Sequence, residues 1–564
     1  MNLRQTFILI LYIFLFWICL PAILVLASLY MDSTLELDRT NHSLMTIAGL
    51  LVLSFSVPLL TLSIIQFKIY SNKYPISADP PKVFIQKGLF ALWRHPIYLF
   101  YTVTLLGSAM LWGSRGMILI ILPVFIALVA IYILVEEKIL RRRFGKTYNH
   151  YVEKTGLVIP SFYQLLKITL FLLFKGLFNY EVRNRDKIPD SLPFFLISSH
   201  RNYLDPLYLG VAIPYPVRYI TTFEMFRYRK TRWFFRALRC IPKKRYLHDI
   251  HTGRMIIEAL GQDDVIGIFP EGERSWTGTL NTLKPETLNL FQKFYHIPIL
   301  PVRLIGNFYA WPRWGKGLRL AKITVEIQDL IRVEPAWDLT TLEQRLLEAI
   351  NPGDLDDPAF HCKSENLAED ISKVVYRCPV CRDFDSIRIS GKNEFRCEQC
   401  MADHSVDSKY NLSGMTTQSK IAGSLHEIYN LIKITGADIK PMMNGAYPDK
   451  YGKLLSVAEY LIAYTVNCEL YREIPPRFEL HFIGSMILTN RRLIFAPEQE
   501  EEARVFPLED IASVTIESNT RMQLYDIKDR QLLQAVFTKE SVLKWQDYIT
   551  QTMSKEIGRF PNTR

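Results

Sequence analysis

The stretch Pro193-Phe-Phe-Leu-Ile-Ser-Ser-His-Arg-Asn-Tyr-Leu-Asp205 reads as an apolar strand that stops at His200 and turns, past Asp205, into a helix-like segment from Leu207 to Ile213. A histidine and an aspartate separated by four residues on a tight strand-to-helix connection let the carboxylate orient the imidazole and stabilise its charged form. That is a general base built without a third residue. Farther on, Ile266-Gly-Ile-Phe-Pro-Glu-Gly-Glu-Arg-Ser275 is again strand into turn. Its Glu271, Gly272 and Arg274 bring a guanidinium and backbone N–H groups, the equipment for holding a phosphate monoester. A third segment, Ile297-Pro-Ile-Leu-Pro-Val-Arg303, reads as a buried strand with a proline-flanked end. Residues 180–350 alternate apolar strands with helical patterns throughout, which predicts an α/β domain.

In this order and spacing the three segments resemble the glycerolipid acyltransferases, in particular the 1-acyl-glycerol-3-phosphate acyltransferase family, over about residues 175–340. The resemblance implies that His200 deprotonates an acceptor hydroxyl, which attacks the thioester of acyl-CoA or acyl carrier protein, while Asp205 orients His200. It implies an acceptor site shaped by Glu271, Gly272 and Arg274, with Arg274 on the phosphate. The family's second block usually ends in an arginine that helps bind phosphate. Ile241-Pro-Lys-Lys-Arg245 occupies that place, which makes Arg245 a further substrate-binding candidate, the plain alternative being a surface cation. Two departures bear on the acceptor: Glu224-Met-Phe-Arg-Tyr-Arg-Lys-Thr-Arg232 is less apolar than usual, and Leu283-Lys-Pro-Glu286 stands where a glycine-containing helix start is usual.

The whole chain has 564 residues, 49% apolar, and a net charge of +11 from 67 basic and 56 acidic residues. That excludes a disordered chain, and 26 glycines exclude a collagen-like one. The apolar excess lies in the first third, where four uncharged runs follow one another: after Arg4 to Asp32, Thr40 to Phe67, Pro96 to Ser114 and Gly116 to Val135. Each predicts a transmembrane helix. Lys68, Lys73, Lys82, Lys87 and Arg94 follow the second run, and Lys138, Arg141, Arg142, Arg143 and Lys146 follow the fourth. The first loop carries Asp32, Glu36 and Asp38 against Arg39. The positive-inside rule then predicts an integral membrane protein with its N-terminus and soluble domains cytoplasmic. Leu165 to Phe178, interrupted by Lys167 and Lys175, reads as an interfacial amphipathic helix. Basic residues gather beside the apolar runs and the phosphate-type segments rather than in a recognition motif, so the charge points to an anionic phospholipid surface and not to nucleic acid.

Gly88-Leu-Phe-Ala-Leu-Trp-Arg-His-Pro-Ile-Tyr98 opens the third run, and Val135-Glu-Glu-Lys-Ile-Leu-Arg-Arg-Arg-Phe-Gly-Lys-Thr-Tyr-Asn-His-Tyr151 closes the fourth. A helical hairpin would bring them together. The Arg-His-Pro-x-Tyr segment, the Glu-Glu pair and the Phe-Gly-x-x-Tyr-x-x-Tyr segment resemble the membrane-embedded methyltransferases that include isoprenylcysteine carboxyl methyltransferase and the phospholipid N-methyltransferases. S-adenosylmethionine is a sulfonium with an amino-acid tail, and Arg94, His95, Tyr98, Glu136 and Glu137 offer carboxylates, an aromatic face and donors. The resemblance implies that His95 and a glutamate contact that cofactor. Phe100 departs from the glycine usual at its place and is expected to narrow the cofactor pocket. Taken singly, these residues read equally as interfacial anchors and a charged collar.

Cys378, Cys381, Cys397 and Cys400 form two C-x2-C knuckles, the donor set of a structural Zn²⁺ site, and Ser386 to Phe395 between them reads as a hairpin turning at Gly391. Toward the end of the chain, Arg477 to Phe482 and Ser485 to Phe495 alternate at period two around a Thr-Asn-Arg-Arg turn. Val542, Trp545 and Ile549 mark one face of a closing helix. Leu488-Thr-Asn-Arg-Arg-Leu-Ile-Phe495 resembles the GRAM and pleckstrin-homology fold, in which Arg491 and Arg492 would contact phosphate or simply form a solvated turn.

The sequence thus predicts a multidomain chain: an α-helical membrane bundle over 1–160, an α/β acyltransferase domain over 161–350, a zinc ribbon over 357–405, a connector over 406–454, and a GRAM/PH-like β domain over 455–564. The leading expectation is acylation of a lysophospholipid, foremost lysophosphatidic acid to phosphatidic acid. The alternatives are a bifunctional enzyme that also methylates a lipid or lipid-linked acceptor, and a non-enzymatic membrane scaffold. The sequence leaves the oligomeric state open.

Overall fold

The computed structural model describes residues 7, 10–11, 14–37, 43–73, 75, 85, 88–244, 249–415, 420–443, 445–474, 477–498 and 502–557. These fall into two compact units, 1–168 and 169–564.

The first unit is helical. Ser43–Ser71 and Met117–Gly145 are long and apolar enough to cross a bilayer, whereas the apolar helices Leu20–Thr34 and Pro96–Trp112 have only 15 and 17 residues. Local chemistry trims them. Pro96 opens its helix and Gly113, at φ +70°, ends it, while a π-helical turn, Phe14–Cys19, precedes Leu20. The helices Ser43–Ser71 and Pro96–Trp112 meet through small residues. A Cβ on Gly49 would lie 3.0 Å from the Gly107 carbonyl oxygen, and Thr104 Oγ1 donates to Ser56 Oγ at 3.0 Å. Asp32 accepts from Ser114 Oγ at 2.6 Å and from the Gly116 N–H at 2.7 Å, capping the turn between the last two apolar helices. The helix Leu122–Lys154 breaks at Gly145 (φ 55°, ψ −130°), a conformation that favours glycine. Beyond the break Tyr151 donates to the Phe90 carbonyl at 2.6 Å.

The second unit begins with a seven-stranded sheet of β1 (Glu181–Arg183), β2 (Phe195–Ser198), β3 (Val217–Thr222), β4 (Ile241–Lys243), β5 (Val265–Ile268), β6 (Ile299–Ile305) and β7 (Thr324–Ile327), in the order β1-β7-β6-β2-β5-β3-β4. Every pairing is parallel except β6 with β7. β2 and β5 are buried along their whole length, which is why they read as unbroken apolar runs rather than alternating ones. Phe194, Leu196, Tyr208 and Val302 lie in one core cluster, and Phe195, Ile197, Ile256, Phe291 and Leu342 in another, so helices cover both faces. The helix Phe162–Phe178 is amphipathic as expected. Its Leu172 and Leu173 are exposed, but Phe174 and Phe178 are buried against Tyr208, so this end belongs to the α/β core.

A five-stranded antiparallel sheet follows: β8 (Ile387–Ile389), β9 (Glu394–Cys397), β10 (Asp403–Val406), β11 (Leu412–Met415) and β12 (Lys420–Gly423). The expected 406–454 connector is therefore corrected in its first part, which carries β11, β12 and the end of β10. β11 buries only Leu412 and Gly414, and β12 is at most half-buried, so composition alone reads as a linker. The helix Leu425–Ile432 then starts on a capping box, Ser424 with Glu427.

The last domain is a seven-stranded antiparallel sheet, ordered β16-β15-β14-β13-β19-β18-β17. Its strands are β13 (Leu461–Ile474), β14 (Arg477–Thr489), β15 (Arg492–Pro497), β16 (Arg504–Pro507), β17 (Ile511–Ile516), β18 (Arg521–Asp526) and β19 (Gln531–Phe537). The helix Val542–Ile557 closes it with Val542, Trp545 and Ile549 fully buried. The two segments expected over 477–495 are β14 and β15, joined at the Asn490-Arg491 turn.

Candidate active site

β2, β5 and β3 are parallel, so the loops that leave them gather at one edge of the sheet, where open α/β sheets place their ligands. The loop after β2 folds around Asp205. One carboxylate oxygen, Oδ2, accepts from the N–H groups of Arg201 and Asn202, both at 2.8 Å, and faces His200 Nδ1 at 2.9 Å. The other, Oδ1, accepts from Asn307 Nδ2 at 2.8 Å. Asp205 is fully buried yet has four hydrogen-bonding partners, so it is held in one orientation. With Nδ1–H given to Asp205, this network assigns His200 Nε2 the lone pair. The imidazole stacks on Phe269, centroids 4.3 Å apart. Burial holds the His200 pKa below its ordinary value. Asp205 opposes that shift and the charges of Arg274 and Arg313 reinforce it. A neutral imidazole with a fixed tautomer is a base ready at neutral pH.

The Phe-Pro-Glu-Gly turn leaves β5 beside it. Glu271 is buried and spends both oxygens on main chain, accepting from His200 N at 2.7 Å and Asn281 N at 2.8 Å. It therefore braces the His200 loop against the 281 segment instead of facing a substrate. Burial pushes its pKa up to about 7 against those two hydrogen bonds. Gly272 has φ +73°, and a Cβ there would sit 2.9 Å from Lys284 Cγ, so position 272 needs glycine twice over. The Arg274 guanidinium lies over the Tyr203 ring at 3.3 Å from its centroid and donates from Nη2 to the Glu517 carbonyl at 3.4 Å. Arg245 lies outside the described residues.

Three supporting groups have no signal in the sequence reading. Asn307 follows Gly306 (φ +83°) at the end of β6 and reaches Asp205 across about a hundred residues of chain. Arg201, inside the first motif, makes a buried ion pair with Asp354 at 2.7 Å, and Asp354 also accepts from the Gly306 N–H at 2.6 Å. Arg313 donates to the Arg274 carbonyl at 2.7 Å.

In the first unit the five expected residues come together. Arg94 Nη1 donates to Glu137 Oε1 at 2.5 Å, and Arg141 approaches Glu137 Oε2 at 3.8 Å. His95 lies 3.5 Å from Glu136 Oε2 and 3.6 Å from Glu137 Oε1, and Tyr98 stacks on its ring at 5.7 Å. Buried His95 Nε2 and Glu136 Oε2 have no hydrogen-bond partner among the described residues. Phe100 does not face this cluster. Two residues past Tyr98 is about 200° around a helix, and its buried ring stands edge-on to Phe55 and Trp93 instead. The expected narrowing of the pocket at this position is thereby corrected.

The sulfurs of Cys378, Cys381, Cys397 and Cys400 all lie within 4.8 Å of one another, with Cys378···Cys400 at 3.8 Å and Cys381···Cys397 at 3.7 Å. A tetrahedron of Zn–S bonds of about 2.3 Å sets its sulfurs roughly 3.8 Å apart, so the donor set fits zinc. In the last domain Arg492 is bound to Glu459, which also accepts from Thr489 Oγ1 at 2.6 Å. Burial opposes ionisation, but these donors bring the Glu459 carboxyl down to about 2. Arg492 is thereby a brace of the β14–β15 turn, which is neither of the two roles, phosphate contact or solvated turn, left open for it by the sequence.

Residues 179–305 match the family described as Acyltransferase, and residues 44–147 the family described as Phospholipid methyltransferase. The 1-acyl-sn-glycerol-3-phosphate acyltransferase of Bacillus subtilis (strain 168) is 27% identical over 96 residues, which is 17% of this chain and 48% of that protein. The chain thus spans about half the length of that curated relative. Among solved structures, the 1-acyl-sn-glycerophosphate (LPA) acyltransferase PlsC from Thermotoga maritima is 19% identical, covering 40% of this chain and 86% of that one with a TM-score of 0.31. The N-terminal PH domain of human ARAP2 is 12% identical, covering 18% and 87% with a TM-score of 0.14. The His200–Asp205 pair lies within the first matched segment and the His95–Glu137 cluster within the second, so the chain carries a phospholipid methyltransferase domain fused ahead of an acyltransferase domain related to the 1-acylglycerol-3-phosphate acyltransferases.

Proposed function

We propose that this chain is a membrane-bound enzyme that transfers a fatty acyl group from acyl-CoA or acyl carrier protein to the free hydroxyl of a lysophospholipid, foremost lysophosphatidic acid, forming phosphatidic acid. The observation that carries this is the His200 Nδ1–Asp205 contact of 2.9 Å, which leaves Nε2 basic beside the turn that holds Arg274. His200 Nε2 takes the hydroxyl proton as the acceptor oxygen attacks the thioester carbonyl. The tetrahedral intermediate collapses, the C–S bond breaks, and the imidazolium returns the proton to the departing thiolate. Asp205 stabilises the imidazolium between those two steps. Arg274 offers the charge complement to the acceptor phosphate.

A second reading is favoured by the membrane cluster and stands beside the first. The carboxylates of Glu136 and Glu137, the Tyr98 face and the His95 imidazole fit a sulfonium with an amino-acid tail. S-adenosylmethionine would supply the methyl group there. Arg94 would fix Glu137, and His95 and Glu136 would hold the cofactor. The four cysteines would hold a structural Zn²⁺. The final sheet and helix support a GRAM/PH-like module, and the loop charges support a cytosolic face for both cofactor and acyl donor.

The test is acyl transfer by the full chain in lipid micelles with lysophosphatidic acid and labelled acyl-CoA, comparing wild type with His200→Ala. We expect phosphatidic acid from the first and none from the second. No product from wild type with either donor and any lysolipid would overturn this reading and leave the methyltransferase or a scaffold.

A further inference from the structure

The last domain, read so far as a separate module, reaches into the acyltransferase site. The hairpin between β17 and β18 lays the Glu517 carbonyl on Arg274 Nη2 at 3.4 Å and the Ile516 carbonyl on Arg313 Nη2 at 2.8 Å. Asn519 Nδ2 donates to the Trp314 carbonyl at 3.3 Å. Arg313 is the hub of this contact. It is 2% exposed, its Nη1 donates to the Arg274 carbonyl at 2.7 Å and lies 3.3 Å from Glu273 Oε2, and its guanidinium sits over the Trp276 ring at 4.8 Å. One buried guanidinium therefore ties the acceptor turn, through residues 273, 274 and 276, to a strand end more than two hundred residues away.

Resting on the acyl-acceptor reading of Arg274, we infer that Arg313 and the 516–519 hairpin form a positioning device that fixes the Glu271–Arg274 turn, so that the C-terminal β domain sets affinity for the phosphate-bearing acceptor. The physical argument is one of freedom removed. An arginine has many rotamers, and its phosphate affinity depends on how many are frozen before the ligand arrives. Tyr203 holds one face of the Arg274 guanidinium, the Glu517 carbonyl holds one N–H edge, and Arg313 pins the backbone beneath it. Charge-assisted donation to three backbone or carboxylate acceptors makes Arg313 the strongest of these ties. Lysine, with a point charge and no planar fork, can keep some of them but not all. The hydrogen bonds that hold His200 and Asp205 run through Arg201, Asn202, Glu271 and Asn307, so the base keeps its geometry when Arg313 is replaced.

The experiment uses the full chain in micelles and measures two things. The first is steady-state acyl transfer for wild type, Arg313→Lys, Arg313→Ala and Asn519→Ala. The second is calorimetric binding of a short-chain lysophosphatidic acid, below its micelle concentration, to the same variants on a His200→Ala background. We expect Arg313→Ala to raise the acceptor KM and the lysophosphatidic acid Kd about tenfold, with the KM for the acyl donor within about twofold, the signature of lost acceptor binding rather than a lost catalytic step. Arg313→Lys should fall between, and the more peripheral Asn519→Ala should move the same constants in the same direction by a smaller factor. Wild-type binding with variants that bind equally well, or that lose kcat and folded yield alone, overturns the inference and leaves the function standing. Tighter binding or faster turnover in Asn519→Ala also overturns it, since the hairpin would then be a lid. If wild type neither binds nor acylates the lysophosphatidic acid, the acceptor reading of Arg274 falls, and this inference with it.

Discussion

Two histidines in this chain stand beside carboxylates, and the surroundings give them opposite states of readiness. At His200 the partner carboxylate is complete, since Asp205 takes four hydrogen bonds in full burial and needs nothing further. At His95 the hydrogen bonding is incomplete: Glu137 is held by Arg94 and approached by Arg141, while Glu136 Oε2 and His95 Nε2 remain without hydrogen-bond partners among the described residues. The first site is organised before any ligand arrives, as electrostatic preorganisation requires of a site that must stabilise a transient charge. The second has the unfinished valences of a site that a cationic ligand completes. On the proposed function, the comparison teaches that the same residue types, a histidine with acids, would serve catalysis in one place and binding in the other. What tells them apart is the number of donors already spent.

The largest effect that tests this contrast is expected at Asp205. Asp205→Asn keeps size and loses the charge that orients Nδ1–H and stabilises the imidazolium, so kcat for acyl transfer should fall on the order of 10³ to 10⁴-fold with both KM values nearly unchanged. Its pH profile carries a sign. His200 has a depressed pKa in the folded chain, so wild-type activity rises with pH through a value below 6.5 and is level above it. Asp205 is the group that pulls that pKa up, so the inflection in Asp205→Asn should lie lower still, beneath a much lower plateau. An inflection that moved upward would break the account of Asp205 as the charge partner.

Asn307→Ala should give the next effect, a fall in kcat of roughly ten- to a hundredfold, because one of four hydrogen bonds to a buried carboxylate is lost and the base is held less firmly. Steady-state kinetics would separate this from a binding defect, which would appear in KM. The smallest effect on acyl transfer is expected from Glu137→Gln. It should lower affinity for S-adenosylmethionine at least about tenfold in equilibrium dialysis while acyl transfer stays within about twofold. Coupled loss of both activities would show that the two domains do not work separately, and unchanged cofactor affinity would remove Glu137 from the proposed methyl-transfer site.

The legible parts of this molecule are those whose physics is local. His200 and Asp205 sit six residues apart inclusive on one loop, so their pairing follows from strand, turn and helix signals alone. The cysteine knuckles are legible for the same reason, since two C-x2-C turns must each present two sulfurs inward. Asn307, Asp354 and Arg313 act on the site from distant segments and sit in stretches with no periodic pattern, so nothing short of the fold assembles them. β11 and β12 were hidden by composition, because Leu412-Ser-Gly-Met415 buries only two residues and exposes two. Glu271 shows the reverse case. Its place was legible and its direction was not, for a motif states which residue is present but not that both its oxygens turn back to the main chain.

The Arg201–Asp354 pair has a consequence for how the chain can be divided. The last helix of the α/β layer ends at Ile350, where pattern and secondary structure both suggest a border, yet Asp354 lies four residues beyond it and is fully buried. A fragment stopped at 350 would retain His200, Asp205 and all three segments that carry the acyltransferase resemblance. It would also enclose the guanidinium of Arg201 with its counter-ion gone, a defect worth several kcal/mol in a domain whose net stability is of order 10 kcal/mol. The smallest heritable unit of this chemistry is therefore longer than its signature. Any excision, swap or transplant of the domain has to carry the 351–354 segment along, although no catalytic motif announces it.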